Sequence, residues 1–365
     1  MQGLKFKTIA SDGKARVGII KTLHGRIRTP AFVPVATKAS VKSLSSEELK
    51  KIGVQVIIVN TYHLYLTKAI RLIKEQGGIH EFMNWDRVIM SDSAGFQIFS
   101  LGAGNELGVN KFSYSAKKIN KSEFKNVKIH DDRVKFRSIY DNSWYEIGPE
   151  DSIRIQEQIG ADIIFAFDEC TAPTANYNYT KQAMERTHEW AKICLKVKKS
   201  KQAIYGIIQG GIYKRLREKS AKFINSLEFN GIGIGGAFGK KELVNILGWS
   251  MPYVDKSKPV HLLGVGTVED IFNAVENGID TIDCVTPTRL ARAGFVFIKK
   301  ESGGNRKNKF RYRIDRNKFK KDNKPLDANC DCWVCERYSR GYIHYLFKNN
   351  ELLVYKLLTY HNLYF

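Results

Sequence analysis

Along the chain, two hydrophobic periods alternate. Short β-branched runs occupy Ala31–Val35, Val56–Asn60, Arg87–Asp92, Asp162–Asp168, Ile204–Gln209, Gly231–Gly235, His261–Gly264 and Thr281–Val285. Between them lie stretches such as Ser45–Ile52, Tyr179–Lys198, Gly211–Leu227, Lys240–Trp249 and Val268–Asn277. Their apolar positions recur at the spacing that lines one face of a helix. Ser45 and Thr267 stand where a side-chain oxygen can cap the first turn. Eight strand-then-helix units predict a parallel sheet closed by crossover helices: an α/β fold, the (β/α)8 TIM barrel, over residues 31–298. The first thirty residues alternate polar and apolar and break at Asp12-Gly13 and His24-Gly25. That pattern predicts an N-terminal antiparallel cap, a hairpin within residues 1–30.

In a parallel barrel the residues that follow the strands form the mouth where ligands bind. Here those positions hold Asn60, Asp92, Asp168, Gln209, Gly235, Gly236, Gly264 and Asp283. Carboxylates and an amide converging on one rim point to a site, because a buried carboxylate is costly unless pairing or function retains it. The stretch Ile279–Arg292 concentrates this chemistry: an apolar run into Asp283, a stop at Pro287, then Arg289 and Arg292 on one helical face. A strand-end carboxylate with two cations beyond it suits an anionic substrate attacked at an electrophilic carbon. Alone, one such aspartate reads more simply as a turn former or helix cap.

Two segments exceed a plain barrel. Gly102–Glu150 is rich in Lys, Asn and Tyr and follows the Asp92 strand. It is expected to be a barrel insertion lying over the mouth as a lid or substrate-contacting hairpin. Lys299–Lys324 interleaves many Lys and Arg with Phe310, Tyr312 and Phe319. This suits either a phosphate-tracking surface with stacking platforms or a solvated hairpin edge.

Beyond it, Cys330-Asp-Cys332-Trp-Val-Cys335 crowds three thiols together. As thiolates they repel unless a cation holds them, and a fourth ligand would complete a closed tetrahedral zinc site, structural rather than catalytic. His344 and His361 are the candidates. His361, after the helical stretch Leu352–Leu358, is preferred, and His344 is expected on the surface of the intervening helix Tyr338–Phe347. Residues 299–365 thus read as a basic segment and a zinc-binding subdomain packed on the barrel.

Composition narrows the partner. Lys+Arg number 59 against 37 Asp+Glu, a formal net charge of +22. An enzyme of small neutral metabolites has little use for that excess, so a nucleic acid is the first partner to consider. A general bias toward Lys, Asn, Ile and Tyr is the blander source of the same charge. Six cysteines, three of them within 330–335, do not form a disulfide framework. The apolar runs are strand-length and the start, Met1–Lys7, carries no apolar leader. A cytoplasmic protein with no membrane partner is expected.

Together these residues resemble the queuine tRNA-ribosyltransferase family, also called tRNA-guanine transglycosylase, in its bacterial-type branch. The likeness is carried by Thr29–Val35, Asn60–Leu64, Ser91–Ser100, Phe167–Cys170, Tyr205–Gly210, Gly264–Gly266, Asp283–Arg289 and the cysteine knot with His361-Asn-Leu. It spans nearly the whole chain, the insertion and Lys299–Lys324 excepted. The resemblance implies a glycosyltransferase (pentosyltransferase) of queuosine biosynthesis. Such an enzyme exchanges guanine at the wobble position of the tRNA anticodon loop for a 7-deazaguanine base, 7-aminomethyl-7-deazaguanine or queuine.

It implies Asp283 as the nucleophile that forms a covalent ribosyl-aspartate, and Asp92 as general acid/base. Asp168, Gln209, Gly235, Gly236, Cys170, Ser93 and Asn60 become base-pocket residues, and Phe96 and Leu263 a sandwich for the base plane. Arg289 and Arg292 hold the nucleotides flanking the target. One structural Zn2+ on Cys330, Cys332, Cys335 and His361 is implied, as is a homodimer; no redox cofactor is.

Three features depart from the family pattern. Ala94 stands where members show a second glycine, narrowing the turn after Asp92. The stretch Gly236–Lys240 is shorter than usual, and Lys240 stands near an expected glutamate. A lysine there opposes a cationic aminomethyl group, which leaves open the base used and the tRNAs accepted. Relatives continue beyond the histidine ligand, whereas Phe365 closes this sequence, which weakens the expected homodimer. Two other readings compete: a non-catalytic tRNA-binding paralogue or subunit, and a retaining glycosidase using Asp92 and Asp283 on a sugar polymer.

Overall fold

The computed structural model describes residues 3–100, 126–236 and 240–365, with residues 240 and 241 as backbone only. The expected loop at 236–240 and the Lys240 side chain, like residues 102–125 of the expected insertion, lie outside the described residues past Gly236. The N-terminal alternation yields three antiparallel strands, one more than a hairpin: β1 (Lys5–Asp12), β2 (Ala15–Thr22) and β3 (Gly25–Thr29). Ile20 and Ile27 turn inward from this sheet and are fully buried against the barrel's own apolar lining.

Two polar clips fasten the cap to residues that precede barrel strands. Arg16 donates to Asp280 through Nε at 2.9 Å and Nη2 at 2.5 Å. His24 gives its backbone N–H to Asp162 at 3.1 Å, with Nδ1 2.9 Å from the same oxygen. His80 meets the other Asp162 oxygen at 3.1 Å and stacks on His24 with ring centroids 3.7 Å apart. Burial raises the Asp162 carboxyl, but hydrogen bonds from His80, Ile89 and His24 outweigh it and hold the group at about 2.

The barrel strands are β4 (Ala31–Val33), β5 (Val35–Ala36), β6 (Val56–Val59), β7 (Val88–Ser91), β11 (Ile163–Phe165), β12 (Ala203–Ile208), β13 (Gly231–Ile234), β14 (Val260–Leu262) and β15 (Thr281–Asp283). All pairings among them are parallel, in the order β4-β15-β14-β13-β12-β11-β7-β6-β5. The two end pieces, β4 and β5, are one strand divided at Pro34, which has no N–H for a ladder. The sheet therefore closes on itself with eight strands, each predicted run supplying one. Helices follow the strands and form the outer layer. Ser45 caps Ser46–Ile52 by accepting from Glu48 N–H at 3.3 Å while the Glu48 carboxylate accepts from Ser45 N–H at 3.0 Å. Thr267 and Asp270 form the same reciprocal box for Val268–Glu276.

Within the expected insertion, β8 (Val127–Ile129), β9 (Val134–Arg137) and β10 (Trp144–Ile147) form a small antiparallel sheet. It stands beside the mouth. The Tyr140 hydroxyl lies 2.7 Å from His63 Nδ1, and the Lys38 ammonium sits 4.7 Å from the Tyr140 ring centroid.

At the C-terminal end, β16 (Phe295–Phe297) and β17 (Arg311–Arg313) pair antiparallel. Beside them a basic hollow of about 490 Å³ is lined by Lys307, Lys309, Arg311, Lys318 and the rings of Phe295 and Tyr312. The last helix, Leu352–Tyr364, runs past its expected end, so His361 projects from its final turns rather than from a following loop. Asn362 on that helix donates to Pro287 O at 3.2 Å and Phe295 O at 2.9 Å and accepts from Phe297 N–H at 2.9 Å. The subdomain thereby buttresses the helix Thr286–Arg292 that follows β15. His344 is not a surface residue: it is 5% exposed, with Nδ1 2.8 Å from Ile314 O. It shares the buried face of its helix with Ile343 and Leu346, which carries it into the subdomain core. Among the described residues no helix is long and apolar enough to cross a membrane.

Candidate active site

A cavity of about 480 Å³ opens at the C-terminal ends of the barrel strands, within the size range of small-molecule sites. Asn60, Asp92, Ser93, Phe96, Asp168, Cys170, Gln209, Gly235, Gly236, Leu263, Asp283, Arg289 and Arg292 all line it. The strand-end residues Asn60, Asp92, Asp168, Gln209, Gly235, Gly236 and Asp283 thus meet in one place, joined there by the residues that the resemblance and the stretch after Asp283 add.

Asp92 follows β7 and is buried. Its Oδ1 accepts from Thr61 N–H at 3.0 Å and Ala94 N–H at 3.2 Å. Its Oδ2 accepts from Gln97 Nε2 at 2.8 Å and from the Asn60 amide. Burial raises this carboxyl from 3.8 to about 6, against the pull of the Asn60, Thr61 and Ala94 hydrogen bonds, and the Asp283 charge adds to the rise. Ala94 sits at φ +72, the left-handed region in which a Cβ is strained by about 1 kcal/mol. Its N–H is one of the donors to Asp92, so the turn that the substitution tightens is part of the carboxylate's cradle.

Asp283 ends β15 with its side chain 13% exposed. Oδ1 accepts from Gly264 N–H at 2.7 Å and lies 3.1 Å from His261 Nε2. Among the described residues no hydrogen bond reaches Oδ2. The two carboxylates are therefore held in different ways, one with both oxygens occupied and the other with one oxygen open to the cavity.

Across the mouth, Asp168 accepts from Ser93 Oγ at 3.0 Å and from Gln209 Nε2 at 2.7 Å. The Gln209 Oε1 is buried with no donor on it among the described residues. Asp168 and Gln209 thus present acceptors beside donors along one edge. A Cβ on Gly235 would lie 2.7 Å from both Gln209 Nε2 and Ile207 Cγ2, so only glycine permits that approach. Arg217, fully buried, donates to the carbonyls of Ile208 at 3.0 Å, Gly211 at 2.7 Å and Gly235 at 2.8 Å, bracketing Gln209 from behind.

Several lining or supporting groups escaped the sequence reading. His261 lies on β14 two residues before Leu263, which continues the strand's extended path, so the two-residue period already put both on the inner face. Gln97 and Thr61 sit within the quoted motifs but declare their partner only in space. Lys38 and Lys42 join Arg289 and Arg292 in a basic rim. His63 is lowered to about 4 by burial, with Lys38 and Lys42 adding, and is neutral at pH 7.

Away from the cavity, Cys330, Cys332, Cys335 and His361 converge, their ligand atoms all within 4.8 Å of one another. His361 Nδ1 lies 3.7, 3.6 and 3.3 Å from the three sulfurs. A tetrahedral ion with Zn–S of about 2.3 Å and Zn–N of about 2.0 Å separates S and N by about 3.5 Å. Phe297 O, 2.8 Å from Nε2, fixes the proton there and leaves the Nδ1 lone pair toward the sulfurs. The residues fit a closed metal site, one that His344 does not join.

The family model for queuine tRNA-ribosyltransferase matches residues 11–365. A protein of Archaeoglobus fulgidus is 47% identical over 99% of this chain and 93% of its own length. Queuine tRNA-ribosyltransferases of Fusobacterium nucleatum (45% identical, 99% of this chain and 90% of theirs) and Herpetosiphon aurantiacus (43% identical, 100% and 86%) are similar throughout. By a family match over nearly its whole length and relatives 43–47% identical along it, the chain belongs to the queuine tRNA-ribosyltransferase family, the tRNA-guanine transglycosylases, which are pentosyltransferases.

Proposed function

We propose that this enzyme exchanges guanine at the wobble position of a tRNA anticodon for a 7-deazaguanine base through a covalent ribosyl-aspartate at Asp283. The observation that carries the reading is the unequal pair at the mouth: Asp283, whose Oδ2 no hydrogen bond reaches among the described residues, and Asp92 raised to about 6. Asp283 Oδ2 attacks ribose C1′ as the glycosidic bond breaks and its electron pair stays on guanine. Asp92 gives the departing base nitrogen a proton. The incoming base returns a proton to Asp92 as its own nitrogen takes C1′ and releases Asp283. A carboxyl that titrates near 6 supplies both forms at physiological pH.

The other assignments follow from position. Asp168, Gln209 and the Gly235-Gly236 backbone read the purine-like edge, with Ser93 steadying Asp168. Phe96 and Leu263 enclose the ring plane, Cys170 closes the pocket floor, and Asn60 holds Asp92 rather than the base. Arg289 and Arg292, with Lys38 and Lys42, meet the phosphates of the flanking nucleotides. Zinc on Cys330, Cys332, Cys335 and His361 would brace the last helix, and through Asn362 the arginine helix, without entering the chemistry. The protein acts in the cytoplasm as a homodimer.

The test is incorporation of labelled guanine into unmodified tRNA by the purified chain beside Asp283→Ala. Incorporation that disappears in the variant, with a tRNA-enzyme adduct trapped only by the wild type, supports the reading. Wild-type chain that binds tRNA and incorporates nothing would leave the non-catalytic tRNA-binding reading in its place.

A further inference from the structure

We infer that His261 is a positioning residue for the nucleophile: it holds one oxygen of Asp283 so that the other faces the reacting carbon. This rests on the reading of Asp283 above. The strands β14 and β15 are parallel neighbours with His261 opposite Thr281. His261 is completely buried inside the barrel, its ring 5.3 Å from that of Phe165. An imidazole in an otherwise apolar interior needs a partner on each nitrogen. Nδ1 lies 2.8 Å from Thr281 Oγ1, and Nε2 lies 3.1 Å from Asp283 Oδ1.

The carboxylate can only accept, whereas the hydroxyl can donate or accept. A neutral ring satisfies both contacts in one way: Thr281 donates to Nδ1, and Nε2–H donates to Asp283. The carboxylate thus selects the tautomer with its proton on Nε2, and the threonine hydroxyl secures it by donating to the bare Nδ1. Gly264 N–H at 2.7 Å is the second donor on the same oxygen. Two donors converging on Oδ1 fix rotation about the terminal bond of Asp283 and leave Oδ2 as the attacking atom. A purely structural core residue at this position would need no polar atoms, and the partner of this one is the nucleophile.

The experiment compares full-length wild type, His261→Gln, His261→Leu and Thr281→Val. Steady-state guanine exchange gives kcat and KM for tRNA, melting curves report folding, and nitrogen shifts of 15N-histidine-labelled wild type report the tautomer. The proton is expected on Nε2 with Nδ1 bare. His261→Leu should lose about 100-fold in kcat, the scale of a misplaced reacting group, with KM for tRNA changed less than about twofold. In His261→Gln the side-chain amide still reaches Asp283 Oδ1, and most of kcat should return. Thr281→Val should fall between. A proton on Nδ1 alone, or equal losses in the Gln and Leu variants that track their melting temperatures, would overturn the inference. An inactive wild type would sink the exchange reading instead, and the tautomer measurement would still decide this one.

Discussion

Replacing Asp92 with asparagine should stop exchange and, above pH 6, relieve a cost carried by the native state. The carboxyl rises from 3.8 to about 6 because burial disfavours its ionised form more than Asn60, Thr61 and Ala94 stabilise it. Below about pH 4 both the folded and unfolded chains keep the proton. As pH climbs, the unfolded carboxyl ionises first. The native advantage of the protonated form is therefore lost progressively and is gone above about pH 7. At about 1.4 kcal/mol per pH unit the gap comes to about 3 kcal/mol. With an unfolding entropy of about 2.1 cal/mol/K per residue, a chain of 365 residues has roughly 0.8 kcal/mol/K, so the effect is worth about 4 °C. Asparagine does not titrate. Its NH2 meets the donors of Asn60 and Gln97, a mismatch of about 1–2 kcal/mol that has no reason to vary with pH. About a third of the gap has already opened at pH 4.5, so the melting temperature of Asp92→Asn minus that of wild type should rise by about 2.5 °C between pH 4.5 and 8. Scanning calorimetry at both pH values reads this directly. A difference that stays flat within about 1 °C would mean that Asp92 is not a raised carboxyl, and the acid/base assignment would lose its physical basis.

Metal analysis of His361→Ala should find the bound zinc lost and the melting temperature lowered, because the Nδ1 that closes the sulfur cluster is gone. His344→Ala should keep its metal and lose only the Ile314 hydrogen bond, and a full zinc complement in His361→Ala would remove that histidine from the site. In the basic hollow, Lys307→Gln with Lys318→Gln should flatten the dependence of log affinity for tRNA on log salt by up to about 1.5, at about 0.7–0.9 per phosphate contact. An unchanged slope, measured by fluorescence titration across salt, would make the hollow a solvated hairpin edge.

The barrel was legible because strands buried on both faces write themselves as short continuous apolar runs, and eight in succession leave few alternatives. The carboxylates were legible because polar residues at strand ends have one place to go in such a fold. What stayed hidden depended on partners distant in sequence. Thr359, His361 and Asn362 read as a helix end, yet all three are buried. The His361 ring meets Phe297 O through Nε2 and turns Nδ1 to the cysteine sulfurs, and the Asn362 amide pairs with the backbone at Pro287, Phe295 and Phe297, where local pattern would have given these groups to water. His344 looked like a surface residue for the same reason, its acceptor lying 30 positions away at Ile314. His261 was hidden within a strand, its two polar contacts supplied by the next strand.

The division of labour between Asp92 and Asp283 follows from how the fold spends its donors. Asp92 receives four, from two backbone N–H groups and two amides. Neither of its oxygens can reach a carbon without surrendering hydrogen bonds in a dry site, where each is costly to lose. It is well placed to exchange a proton and poorly placed to form a bond. Among the described residues Asp283 receives its donors on one oxygen only, from Gly264 and His261. That arrangement orients the side chain while leaving Oδ2 uncommitted. Exchanging the two environments would disable both groups: an aspartate held on both sides would attack slowly, and one open to the mouth would have no burial to bring its proton affinity near physiological pH. The backbone supplies half of these donors, and the Asn60 and Gln97 amides fill the oxygen that on Asp283 stays open. Thr61 and Ala94 lend their N–H groups from the turns after β6 and β7, and Gly264 from the turn after β14. The asymmetry is thus built into the barrel mouth itself.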